Sequence, residues 1–199
     1  MNKNIPKSNY FQLLANLKER LGSGRYQAAL NINHELILLY HHVGTELLKS
    51  QQIHGWGAKI IDNLSHDLKS EFPEIKGFGL RNLKYMRRFA LEYPDIQFVQ
   101  QVVAQLPWGH NILLIELIPI KKNRIFYIEK AITHGWSRNV MVMHIEIALH
   151  TKQFPNIYNF QNSPQSPQSR VTQLILTDDN TRDFLNINKD SDPAKISAS

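Results

Sequence analysis

Apolar side chains recur at intervals of three and four along most of the chain, as they do in helices with one buried side. Residues 9–21, NYFQLLANLKERL, set Phe11, Leu14, Leu17 and Leu21 at that spacing before Gly22-Ser23-Gly24 interrupts the run. Ser23 then stands as the cap of a second helix reaching about Gln51, along which Ala29, Ile32, Leu36, Leu39 and Val43 make one apolar face. Such a helix would be roughly 40 Å long at 1.5 Å per residue. That length suits a long core helix, and the same three-four alternation would let it pair with a symmetry mate. Further helices are predicted over 56–72, 79–93, 95–106, 108–118, 121–136 and 137–150. Pro73, Pro94, Pro107 and Pro119 punctuate them, and Ser137 is the N-cap of the last. No alternating stretch of useful length occurs, so the predicted fold is all-α.

Past residue 160 the periodicity fades. The predicted division is a helical domain at 9–160, a Pro, Ser and Gln-rich linker at 161–170, a short amphipathic segment at 171–187 and a disordered tail at 188–199. At 199 residues the chain is long enough to bury one real core.

Charge narrows the picture. The formal net charge is +6 and the pI near 9.5, a mild bias toward a polyanionic partner. The excess concentrates in GFGLRNLKYMRRFALEYP, residues 77–94, which has no acid between Glu74 and Glu92. On a helical wheel Leu83, Met86, Ala90 and Tyr93 share one side, flanked by Leu80 and Phe89. Arg81, Lys84 and Arg88 lie opposite, with Tyr85 beside them and Arg87 nearer the margin. A helix of this kind, preceded by another helix and a turn, has the layout of a helix-turn-helix recognition element, although this turn is longer than usual. The arginine forks suit phosphate or guanine, and Asn82 near the helix start suits an adenine edge. A solvated basic face on an ordinary helix would give the same pattern.

An internal echo bears on that choice. Residues 77–92 and 135–150 both run Gly-aromatic, then Arg-Asn-apolar, then Met and Ala at nearly matching offsets, and 55–68 begins the same way. Glycine permits the turn and the ring staples it to the core. That accounts for the Gly-aromatic pairs but not for the repeated Arg-Asn, because helix starts favour acids over arginine. Arg138 and Asn139 therefore join Arg81, Asn82, Lys84, Tyr85, Arg87 and Arg88 as candidate DNA contacts.

Catalysis finds less support. The chain has no cysteine, which excludes disulfides, thiol catalysis and thiolate metal sites. His34, His41 and His42 share a helix without a close acid to complete a ligand set, and His110 and His144 are lone histidines more often structural than ligating. Glu74-Ile75-Lys76 and Pro94-Asp95 imitate nuclease fragments, but in inverted order and between helices. No catalytic residue, metal or cofactor is expected. No apolar run has signal-peptide or bilayer-spanning character, so the expected setting is the cytoplasm, without membrane contact.

The runs NINHELILLYHHVG, GWGAKIIDNLSHDLKSEFPEIKGFGLRNLKYMRRFALEYP, LPWGHNILLIE and FYIEKAITHGWSRNVM, with Asn159-Phe160, resemble the N-terminal domain of the YhcG-like family over roughly residues 10–160. The resemblance implies a helical, DNA-binding module that usually precedes a PD-(D/E)XK-type nuclease domain. Gly79 stands where the family carries serine. LTDDNTRDFLNI keeps Asp178 and Phe184-Leu185 but lacks the Pro-Tyr that usually opens the second part. The expected function is a non-catalytic DNA-binding or targeting module. The alternative is a protein-interaction or oligomerisation module, resting on the long second helix and the Trp108 loop.

Overall fold

Long-range order begins with one helix where the spacing predicts two. In a computed structural model describing residues 7–54, 59–152 and 167–185, α1 runs unbroken from Lys7 to His54. Gly22, Ser23 and Gly24 lie inside it, and Ser23 Oγ donates back to Arg20 O at 3.0 Å instead of capping a new start. A Cβ at Gly22 or Gly24 would meet nothing within 4 Å, so glycine here lowers helix propensity without producing a break.

The remaining helices follow closely: α2 (Lys59–Glu71), α3 (Leu80–Glu92), α4 (Ile96–Gln101), α5 (Trp108–Leu117), α6 (Lys121–His134), α7 (Arg138–Glu146), α8 (Pro167–Thr177) and α9 (Asp179–Phe184). No strand occurs among the described residues, so the fold is all-α. The predicted 95–106 helix is divided: α4 ends at Gln101, and Val103–Gln105 forms a 3-10 turn. The predicted last helix ends early at Glu146, and Ala148 takes a left-handed conformation. Ser137 does cap α7, accepting from Val140 N. Gly79 caps α3 with no side-chain bond, as its lost hydroxyl implies. The Gly55-Trp56 entry, the stretch 161–166 and the tail 188–199 lie outside the described residues, and α8 begins at Pro167 within the stretch read as linker.

The core is built on the crossing of α1 and α3. Leu36, Ile37, Tyr40 and Leu47 from α1 meet Leu83, Met86 and Phe89 from α3, all buried. The helices approach so closely that a Cβ on Gly44 would lie 2.0 Å from the Met86 carbonyl oxygen. His41 Nε2 donates across the same seam to Tyr93 O at 2.8 Å. Most of the Ala29–Val43 face thus serves the chain's own core, with Ala29 and Leu36 buried and Ile32, Leu39 and Val43 half-buried. Trp108 packs edge-on against Tyr40 and Phe89 with no exposure, so its ring belongs to the core. Two buried amides hold the Val103–Pro107 turn: Asn33 donates to Ala104 O and Leu106 O, and Asn111 to Val103 O, Leu106 O and Pro107 O. A second small cluster joins α1 to α8 through Ala29, Val171 and Ile175.

Candidate nucleic-acid interface

The amphipathic wheel of α3 is realised in space. Leu83, Met86, Phe89, Ala90 and Tyr93 are buried, whereas Arg81, Lys84 and Arg88 are exposed. Tyr85 and Arg87 are half-buried at the margins. Arg87 Nη1 donates to Gln51 Oε1 at 2.9 Å, which ties this arginine to α1. Arg88 Nη2 donates to Ile115 O at 2.8 Å and so closes off a carbonyl in the last turn of α5, with its side chain still largely in solvent. Lys84 engages no acid among the described residues.

Beside this ridge opens a groove of about 470 Å³ between α3, α5, α7 and α9. Arg81, Asn82 and Tyr85 form one wall, and Arg138 stands on another. The two Arg-Asn motifs of the sequence therefore deliver their arginines to one concavity. The approach of Arg138 depends on Gly109: a Cβ there would lie 2.7 Å from the guanidinium carbon. Arg81 donates to the Tyr85 hydroxyl at 3.2 Å, and that hydroxyl donates to Glu116 Oε1. The relay fixes the ring and the arginine along the groove edge. Lys84, Arg87, Arg88 and Asn139 do not line the groove; Lys84, Arg88 and Asn139 are exposed outside it.

Asn82 has a different employment from the one its position suggested. Its Nδ2 donates to Gly77 O at 2.6 Å, and its Oδ1 accepts from Trp108 Nε1 at 2.7 Å. Each end of the amide thus makes one bond that holds α3, its entry turn and α5 together, which leaves one donor hydrogen and one acceptor lone pair beyond this structural role. Gly77 is needed for the same packing, since a Cβ would lie 2.4 Å from the Tyr40 hydroxyl.

The groove is not uniformly basic. Glu116 and Asp179 share it with the arginines, and Asp178 is buried behind it as the N-cap of α9. Burial pushes the Asp178 carboxyl up, opposed by the Thr181 and Asn180 donors, the Arg138 charge and the Gly109 N–H. Positive excess therefore comes from the outer ridge of Lys84 and Arg88 added to Arg81 and Arg138. Sequence reasoning did not find Glu116, Asp179 or Asn180, which carry no motif; the glycine after Trp108 was the one visible signal for this wall.

Nuclease-like fragments do not assemble. Asp95 caps α4 by accepting from Gln97 N at 2.9 Å and Phe98 N at 3.4 Å, and Glu74 and Lys76 sit in the connection between α2 and α3. Among the described residues no group of three or more His, Asp or Glu side chains could hold a metal ion, and no helix is long and apolar enough to cross a membrane.

Residues 16–152 match the family model of the DUF1016 N-terminal domain. The chain belongs to that family. The match runs from the first third of α1 to the end of the 3-10 turn after α7, so every wall of the groove except α9 lies within the DUF1016 N-terminal domain. This is the YhcG-like resemblance of the sequence, now with bounds. Neither a curated protein nor a solved structure matches the chain.

Proposed function

We propose that this chain is a non-catalytic DNA-binding or targeting module of the cytoplasm, with α3 and the start of α7 as its contact surface. The observation that carries the reading is the convergence of Arg81 and Arg138 on one groove, extended by the exposed Lys84 and Arg88. A duplex presents phosphates in a regular array, and cations held on rigid helices can match it without sequence readout. Arg81 and Arg138 grip backbone oxygens from the two walls, and Lys84 and Arg88 track the neighbouring phosphates. Tyr85 and Glu116 keep the Arg81 fork in place. Asn139, exposed next to Arg138, is placed to donate to a phosphate or sugar. Asn82, in the same wall as Arg81, acts as a positioning residue through its bonds to Gly77 and Trp108.

Cleavage is assigned elsewhere. A PD-(D/E)XK centre needs two acids and a lysine around a divalent cation, and the acids and lysine that imitate it here serve helix connections. On this reading the module holds DNA, and cleavage belongs to the separate nuclease domain that the family resemblance implies.

The test is a salt-titrated binding assay with duplex, single-stranded and RNA probes. Arg81→Ala, Lys84→Ala and Arg138→Ala together should weaken duplex binding and lower the salt slope by about 0.9 per lost contact. Circular dichroism should stay native, because all three side chains are exposed. Unchanged affinity in a folded triple variant removes the proposed surface. Nicking of supercoiled plasmid with magnesium or manganese, abolished by Glu74→Ala, refutes the non-catalytic assignment.

A further inference from the structure

The amino-terminal third of α1 carries large apolar side chains that stand mostly in solvent. α1 packs on α8 from Tyr26 and Ala29 onward, but residues 9–25 are exposed throughout except for a half-buried Leu14. Tyr10, Phe11, Leu13, Leu17 and Leu21 are each 51–67 % exposed, a contiguous apolar stripe of a kind that monomers seldom leave in water.

The stripe has a register. Tyr10, Leu14, Leu17, Leu21 and Gly24 alternate at four and three residues, the a/d seam of a coiled coil with Leu14 and Leu21 at a. The flanking e and g positions are then Phe11, Lys18 and Arg25, and Leu13 and Arg20. The arm's single acid, Glu19, falls at f, pointing away from the seam.

Those flanks choose among occupants. In a parallel pair of copies Arg20 would face Arg25 of the second copy. In an antiparallel pair the e positions Lys18 and Arg25 would face each other and Arg20 would face Arg20. Like charges therefore oppose in either orientation. A lipid surface fits poorly too, because membrane-lying helices carry lysine and arginine across their polar face. Here that face is Gln12, Asn16, Glu19 and Ser23. Acidic flanks on the opposing helix would pair with Lys18, Arg20 and Arg25, and Gly24 at d leaves room for a large side chain from it.

We propose that residues 9–25 of α1 form the docking surface for an amphipathic helix of another protein, with an apolar seam flanked by Glu or Asp. The arm enters the interaction already attached to a packed helix, so the cost of nucleation is met by the domain. Gly22 and Gly24 lower the arm's helix propensity, and a docked partner would add packing to a helix that is already formed.

The experiment uses the full chain and two synthetic three-heptad peptides with Leu at a and d, one with Glu and one with Lys at e and g. The Glu peptide should bind and the Lys peptide should bind at least about tenfold more weakly. The triple exchange Lys18→Glu, Arg20→Glu, Arg25→Glu should reverse that preference. Leu17→Asp with Leu21→Asp should abolish binding without changing the thermal transition, because both side chains are already in solvent. The chain alone should sediment as a monomer and ignore phosphatidylserine-containing vesicles. A dimer dissolved by the Leu17/Leu21 exchange, vesicle binding lost in the same variant, equal binding of the two peptides, or no binding of the Glu peptide each overturns the proposal.

Discussion

Gly44→Ala measures how tightly the core crossing is drawn. The new Cβ would lie 2.0 Å from Met86 O, 2.5 Å from Met86 C and 3.0 Å from Ala90 Cβ. Real Cβ atoms essentially never approach closer than 3.0 Å, so α1 and α3 must part by at least about 1 Å. A gap of that size forfeits a quarter to a half of each dispersion contact along the seam, which includes Tyr40, Leu47, Leu83 and Met86. Overpacking of this kind costs about 3 kcal/mol when the obstacle is backbone and cannot swing away. Alanine returns about 1 kcal/mol through helix propensity. The net loss is about 2 kcal/mol, or a fall in Tm of about 4–8 °C at this chain length. Urea unfolding followed by circular dichroism reads it directly. Gly22→Ala is the control, since it lies in the same helix with nothing within 4 Å and should cost nothing. A Gly44→Ala protein as stable as the parent would refute the close crossing.

Three further outcomes follow from the same geometry. Gly109→Ala places a Cβ 2.7 Å from the Arg138 guanidinium, a flexible group that can move, so stability should hold while duplex affinity falls and the salt slope drops by about one unit; an unchanged slope would take Arg138 out of the contact set. Asn82→Ala leaves the Trp108 indole N–H and the Gly77 carbonyl without their partner and should cost about 1–3 kcal/mol in urea unfolding; a loss under about 0.5 kcal/mol would show those bonds to be dispensable. Acid should destabilise the fold through His110, whose pKa burial lowers to about 4. Between about pH 6.5 and 4 the unfolded chain binds the proton that the native ring refuses, so stability falls as pH falls, by about 2 kcal/mol at pH 5. His134 and His144, also lowered by burial, act in the same direction, and Asp178, raised by burial, acts oppositely above its ordinary pKa. Equal urea midpoints at pH 7.5 and 5 for parent and His110→Gln would contradict this account.

The all-α class and the faces of α3 were legible because both rest on period alone: one turn of helix determines which side chains are neighbours. Breaks were harder. Gly22-Ser23-Gly24 reads as an interruption, yet isolated glycines cost only about 1 kcal/mol each, which a long packed helix absorbs. The division of 95–106 at Val102 was invisible, because it is maintained by Asn33 and Asn111, distant in sequence from the turn they hold. The candidate site divides the same way. Exposure of Arg81, Lys84 and Arg88 was readable from the wheel. The groove was not, since it requires α5, α7 and α9 to meet α3, and Glu116, Asp179 and Asn180 have no local signature. Asn82 shows the limit most clearly: its place near a helix start suggests a base contact, and only the packing of Trp108 reveals the structural bonds that its amide makes.

The echo between 77–82 and 135–139 gains a physical sense from the groove. Each copy begins with a glycine and a buried ring, Phe78 or Trp136, that fixes where the next helix starts. Each then sets an arginine within the first two helical positions, where the helix dipole is positive and a cation is disfavoured by about 0.3–1 kcal/mol. A single misplaced arginine would be unremarkable on a basic surface. Two, delivered by the same device to one groove, stand at the positive ends of α3 and α7, where Tyr85 and Glu116 stabilise the charge on Arg81 and the Asp178 carboxyl offsets that on Arg138. Glu116 and Asp179 moderate that charge in the free domain, and Tyr85 keeps Glu116 occupied at the edge. On the proposed reading, an anion reaching this groove would meet arginines already held in position, with Glu116 and Asp179 limiting the net positive charge around it.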